Sequence, residues 1–176
     1  MNKKLNRFNI VVPQVTERLS IRDEEFEKLG LQLKKSVDAV FGRSLAIREL
    51  DAGSDNATEI EMVNLTTAHY DIERFGVTFV ASPRHADILA VTGAVTHNME
   101  IAVKKTYDAM PAPKFVIAVG NEACDGGIFK NTYGVRNGVE TVIPVDFKIP
   151  GNPPSPLQIM TGLLGLMRLI RACKVS

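Results

Sequence analysis

A chain of 176 residues that is 45% hydrophobic carries enough apolar material for a self-sufficient core, so one domain is the working count. Lys and Arg number 21 against 20 Asp and Glu, a balance that supplies no field for nucleic acid or an anionic membrane. Two cysteines, Cys124 and Cys173, exclude a disulfide framework, the sequence opens without a charged-then-apolar leader, and no apolar run approaches the roughly 20 residues that cross a bilayer, so the expected location is the cytosol.

Residues 1–19 scatter Lys3, Lys4, Arg7 and Arg18 among apolar residues, and Pro13 prevents a continuous helix, so this segment reads as an arm. Ser20 and Asp23 resemble a capping box. Phe26, Leu29, Leu33, Val37, Val40 and Phe41 then recur at helical spacing up to Gly42, which predicts an amphipathic helix able to pack on its own domain or on a neighbouring subunit. The expected division is therefore an arm and helix over 1–42 and an α/β domain over 43–176.

Ser44 to Leu50 alternates as a strand and ends in Asp51-Ala52-Gly53-Ser54, ahead of a short helix over Ala57 to Thr67. Gly76 to Ala81 and Asp87 to Thr92 read as strands, separated by the Ser82-Pro83-Arg84-His85 turn. Thr96 is placed to cap a helix that runs to about Met110, where Pro111 and Pro113 stop it. Phe115 to Val119 is the central buried strand, breaking at Gly120 into a loop that holds Gly126 and Gly127. Thr141 to Val145 is expected to be the last strand, followed by the loop Pro150-Gly151-Asn152-Pro153-Pro154 and a helix over about Ser155 to Ala172.

Strands alternating with helical segments predict an α/β domain of three layers with a mostly parallel sheet. Loops that follow parallel strands share the carboxyl edge, so those around Asp55, after Gly93, around Glu122 and around Asn152 are expected to meet there.

Taken together, the segments DAGSDNATEIE, YDIERFG, SPRHADILAVTGAVT, YDAMPAPKFVIAVG, ACDGGIF, VIPVD and IPGNPPSP, over about Arg43 to Leu169, resemble the small iron-sulfur subunit of group 4 energy-converting nickel-iron hydrogenases and formate hydrogenlyase. The related small subunit of respiratory complex I, the NADH:quinone oxidoreductase, shares much of the pattern. The resemblance implies a flavodoxin-like core on the cytoplasmic face of a membrane complex, with a 4Fe-4S cluster that passes electrons to and from a catalytic large subunit. It also implies the ligand positions: a C-x-x-C-E pair, a third cysteine after the central strand and a fourth in P-G-C-P-P. In this chain those positions fall on Asp55, Thr58, Glu122 and Asn152, while Glu59, Gly126, Gly127, Gly151, Pro153 and Pro154 stand as in the family.

Cubane clusters are held by thiolates, which carboxylates and amides replace poorly, so no 4Fe-4S cofactor is expected here. Cys124 lies two residues beyond the third ligand position and reads as an inert thiol. The oxygen donors at the four positions suit Mg²⁺ or Ca²⁺, although a vacated pocket also gathers polar residues simply to satisfy hydrogen bonds. Arg84 and His85 are assigned to the pocket's neighbourhood, with Arg84 expected to pair with Asp55 or Glu122. His69 and His97 lack a second ligand at metal spacing and are assigned surface or capping roles. The expected function is that of a cluster-less structural or coupling subunit, peripheral on the cytoplasmic face, with hydrogenase-like or quinone-oxidoreductase-like large and membrane subunits as partners. The alternatives are a redox subunit with a non-standard centre, and a free-standing domain binding a small ligand or a hard cation.

Overall fold

The computed structural model describes residues 24–175, with side chains through Ala172. Five parallel strands form one sheet in the order β2-β1-β3-β4-β5: β1 Leu45–Asp51, β2 Val77–Phe79, β3 Ile88–Thr92, β4 Phe115–Val119 and β5 Phe147–Ile149. This is the flavodoxin-like order, and it reverses direction between β1 and β3. Every neighbouring pair is parallel, with Asp51 opposite Thr92, Val91 opposite Ala118 and Val119 opposite Ile149. The expected three-layer α/β architecture is therefore the observed one.

Alternation along the strands sorts the core into two halves. Leu45, Ile47, Val77, Ile88, Ala90, Ile117, Val119 and Ile149 face one side, where they pack under α1 (Glu24–Phe41), α2 (Ala57–Asn64) and α5 (Pro156–Val175). Leu50, Leu89, Val91, Val116 and Ala118 face the other, which α3 (Glu100–Ala109) and the short α4 (Asn121–Asp125) cover together with Val139 and Ile143. β3 is buried at all five positions. A strand sandwiched between two layers of helix reads as an uninterrupted apolar run, and Ile88–Thr92 does.

The stripe on α1 closes the question its periodicity left open. Phe26, Leu33 and Val37 are buried in this domain's own core, with Leu29, Val40 and Phe41 packed against it, and the helix lies along α5. Burying that stripe against α5 and the sheet removes it as a docking face for a neighbour. The Ser20 and Asp23 capping pair and the arm before it lie outside the described residues.

Two elements differ from the sequence reading. Thr141 to Val145 is not a strand: Val139–Thr141 form a 3-10 turn, and β5 is the three-residue Phe147–Ile149 that follows. The apolar run there exists because Val142, Ile143 and Val145 roof the α3 face of the sheet, while Pro144 has no N–H to give a strand partner. The helix expected from Thr96 begins at Glu100, because Thr96 is held by the β1 loop instead: its N–H donates to the Ala52 carbonyl and its side chain packs over Gly53.

Candidate functional site

Parallel pairing places the ends of β1, β3, β4 and β5 at one edge, and hydrogen bonds then lock their loops together. Ala52 N–H donates to the Thr92 carbonyl and Thr96 N–H to that of Ala52, while Gly120 N–H donates to Ile149 and Asn121 N–H to Gly151. Gly151 N–H in turn donates to Asn121 Oδ1. Asp51 turns the first loop by accepting from the N–H groups of Gly53 and Ser54 at 2.7 and 2.9 Å. Two glycines make this closeness possible. A Cβ on Gly93 (φ 76°) would stand 2.6 Å from the backbone of Gly53 and Ser54, and one on Gly120 (φ 90°) would stand 2.7 Å from Thr58 Oγ1.

At the centre of this edge sit three polar side chains that are almost wholly buried: Thr58, Glu59 and Glu122, at 9%, 7% and 7% exposure. Glu59 lies in the first turn of α2, where the helix dipole favours a negative charge, yet neither of its carboxylate oxygens meets a donor among the described residues. Glu122 lies in α4 against Gly127, and its Oε1 likewise has no donor. Burial pushes the Glu122 carboxyl above its ordinary range, the carboxylates of Asp55, Glu59 and Asp51 push it further, and the Asp55 backbone N–H draws it partly back. Behind them on β1, burial raises Glu49, with Glu59 and Asp51 adding to the effect and Arg48 opposing it. The edge is thus a buried, acidic centre without a matching cation among the described residues.

Asp55 and Asn152 lie at this edge but are exposed, and Asp55 Oδ1 is engaged by the Ala57 N–H at 2.9 Å. Gly126 and Gly127 close the end of α4, Gly127 packing directly on Glu122. Among the described residues no group of three or more His, Cys, Asp or Glu is placed to hold a metal ion. Cys124 points away from the edge: its thiol donates to the Ala118 carbonyl at 3.6 Å, and burial raises its pKa to about 11 against a weaker opposite pull from Lys148.

The expected pairing of Arg84 with Asp55 or Glu122 is absent. Arg84 is exposed and forms no ion pair among the described residues. β2 stops at Phe79, level with Ile47, and β3 begins at Ile88 on that same level. The Pro83–His85 turn therefore leaves and rejoins the sheet about 13 Å below the end of β1, at a strand rise of about 3.3 Å per residue. His85 shares that turn and is also exposed. His97 Nε2 bonds to the Tyr133 carbonyl and His69 stacks edge-on against Tyr70, so neither belongs to the site.

Exposed aliphatic and aromatic side chains in the segments that follow β1 and β4 escaped the sequence reading. Ile60 (53% exposed) follows Glu59, Ile128 (71%) follows the glycine that packs on Glu122, and Tyr133 (99%) stands in the loop pinned to His97. Ile60 lies opposite the buried face of a helix only eight residues long, too short for periodicity to reveal it. Two cavities lie elsewhere: about 550 Å³ at the amino edge beside Phe41 and Asp87, and about 530 Å³ between β5 and α5.

The sequence profile of NADH ubiquinone oxidoreductase, 20 Kd subunit, matches residues 56–166, a span that takes in α2, every strand after β1, and the Glu122 and Asn152 loops. The chain belongs to this 20 Kd subunit family. A solved chain of the membrane-bound sulfane sulfur reductase, described as an archaeal respiratory membrane complex, is similar to it at 34% identity with a TM-score of 0.67, over 81% of this chain and 76% of that one. The family's core is the sheet described above, so this 20 Kd-type subunit presents the edge holding Glu59 and Glu122 on a shared scaffold. No helix among its described residues is long and apolar enough to cross a membrane.

Proposed function

We propose that this chain is the small subunit of a membrane-bound oxidoreductase assembly of the hydrogenase or NADH:quinone oxidoreductase type, and that it serves there as a structural or coupling element without a 4Fe-4S cluster. Family membership supports the first part, as does the likeness to a chain of an archaeal respiratory membrane complex. The observation that carries the second is the donor set. The positions that match the family's four thiolates hold a carboxylate, a hydroxyl, a carboxylate and a carboxamide in Asp55, Thr58, Glu122 and Asn152. Iron and sulfide are held by soft thiolates, and two anionic carboxylates beside a cluster that is itself anionic would add repulsion. Cys124 does not make good the loss, since its sulfur is turned to Ala118 and its proton is held well above neutral pH. These residues do not fit a cubane cluster.

In this reading the partners are a large subunit of the hydrogenase or quinone-oxidoreductase kind and membrane subunits that bring the assembly to the cytoplasmic face. The exposed Ile60, Ile128 and Tyr133, in the segments that follow β1 and β4, favour a subunit surface over a free-standing domain. Affinity-tagged chain, expressed in its own host and extracted with mild detergent, is expected to come from the membrane fraction with a large subunit and polytopic subunits in fixed ratio. Recovery from the soluble fraction as a monomer would count against the assembly.

A further inference from the structure

We infer that Glu59 and Glu122 form a socket for a single guanidinium group, delivered by an arginine of the subunit that covers the carboxyl edge. The inference rests on the assembly reading above and names what that partner must bring.

Among the described residues, Glu59 and Glu122, each more than nine-tenths buried, leave three carboxylate oxygens without a donor, both of Glu59 and Oε1 of Glu122; these oxygens are covered in the free chain, so a guanidinium reaches them as the two side chains turn outward. Elsewhere in the same fold buried acids are served. Asp87, 8% exposed, accepts from two nitrogens of Arg43 and from the Ala46 N–H. An uncompensated buried carboxylate is among the costlier features a protein retains, and two beside each other are costlier still. The missing charge is therefore to be sought outside the described residues.

The surroundings narrow the class of ligand. No group of three His, Cys, Asp or Glu among the described residues is placed for a metal ion, and the nearby Asp55 spends an oxygen on its own loop. Ile128, 71% exposed and next to the glycine that packs on Glu122, gives this edge an apolar rim that suits a protein surface better than water. A partner seated on that rim would seal the acids further from solvent, which raises their cost unless it supplies a cation in the same contact. Guanidinium is the cation that fits: it sheds water more readily than ammonium, and its planar fork of five donors serves two carboxylates at once. A desolvated arginine surrounded by apolar contacts is also a common energetic centre of protein interfaces.

The test uses the full chain and a variant in which Glu59→Gln and Glu122→Gln are combined, both changes keeping side-chain shape and removing repulsion. n-Propylguanidinium is titrated into each protein while backbone amide shifts are followed by NMR. Saturable shifts at residues 58–60 and 121–123 are expected in the wild type, with affinity at least about tenfold weaker in the variant. In the tagged assembly the double variant is expected to lose most of the partner that the wild type recovers, although alone it melts at a higher temperature. The inference is overturned if the wild type gives no saturable response, if the variant binds equally well, or if Mg²⁺ elicits the same shifts in place of the probe. Partner recovered equally by wild type and variant would also overturn it while leaving the proposed function standing, whereas a chain that recovers no partner at all fails the proposed function first. Should the double variant not fold, Glu122→Gln alone carries the same comparison.

Discussion

The two edges of the sheet handle buried acids in opposite ways. At the amino edge the buried Asp87 is held by both terminal nitrogens of Arg43, at 2.9 and 2.6 Å, and by the Ala46 N–H at 3.0 Å, and even the exposed Asp146 accepts from the Val116 N–H at 2.8 Å. These contacts tie β1 to β3 and β4 to β5 where the strands begin. At the carboxyl edge Glu59 and Glu122 are as deeply buried, yet three of their oxygens have no donor among the described residues. An amino-edge acid therefore stabilises the fold, and a carboxyl-edge acid is tolerated by it. Buried polar groups that cost stability cluster at sites of function, so the contrast marks which edge the protein uses.

The contrast predicts opposite signs for equivalent deletions. Asp87→Ala should cost about 2 kcal/mol in urea unfolding, because it strands the buried Ala46 N–H, while the exposed Arg43 fork turns to water. A loss below about 0.5 kcal/mol would show that the amino-edge pairing is ornamental. Cys124 sharpens the comparison in another way. With its pKa near 11, alkylation by iodoacetamide at pH 7.5 in a Cys173→Ala background should run roughly a hundredfold slower than for an ordinary thiol. A rate equal to that of free cysteine would place a ligand-ready sulfur at the carboxyl edge after all.

Glu59→Gln should stabilise the isolated chain by about 1 kcal/mol at pH 7.5, since the change removes a buried charge without removing a hydrogen bond. Destabilisation of that size would mean the carboxylate has a partner within the chain. The smallest effect is expected at Glu49, whose folded-state carboxyl is raised by burial first and by Glu59 next. For a raised acid the folded state binds its proton more readily than the unfolded state does. The protonated form thus favours folding, and that advantage is lost as pH rises through the folded-state value. Glu49→Gln should accordingly gain on the wild type at pH 7.5 and lose that gain below about pH 4, near the ordinary carboxyl range. Thermal melts across that interval measure the crossing, and a gap that does not change with pH would remove titration as its cause.

Much of this was legible in the sequence, for identifiable reasons. β3 and β4 could be read because strands buried on both faces are continuous apolar runs, and the meeting of the Asp55, Gly93, Glu122 and Asn152 loops follows from parallel pairing alone. β5 was misplaced because Val142, Ile143 and Val145 are apolar for a different purpose, covering a sheet face, and local pattern does not separate the two. The place of Arg84 is not legible in the sequence, because the length of β2 decides how high its following turn stands, and a three-residue strand leaves that turn at the level of Ile47. The missing donors around Glu59 could not be read at all. A carboxylate lacks a donor only with respect to everything folded around it, and that is settled by α2, α4 and the β1 loop together.

The central claim is that the family's scaffold persists here with a donor set that no longer holds a cubane cluster. Iron and acid-labile sulfide, measured on chain isolated anaerobically beside a variant carrying Asp55→Cys, Thr58→Cys, Glu122→Cys and Asn152→Cys, test it most directly. The account predicts neither element in stoichiometric amount in the natural chain, and about four of each in the variant with a visible absorption that bleaches on reduction. Stoichiometric iron and sulfide in the natural chain, bleaching in the same way, would contradict it.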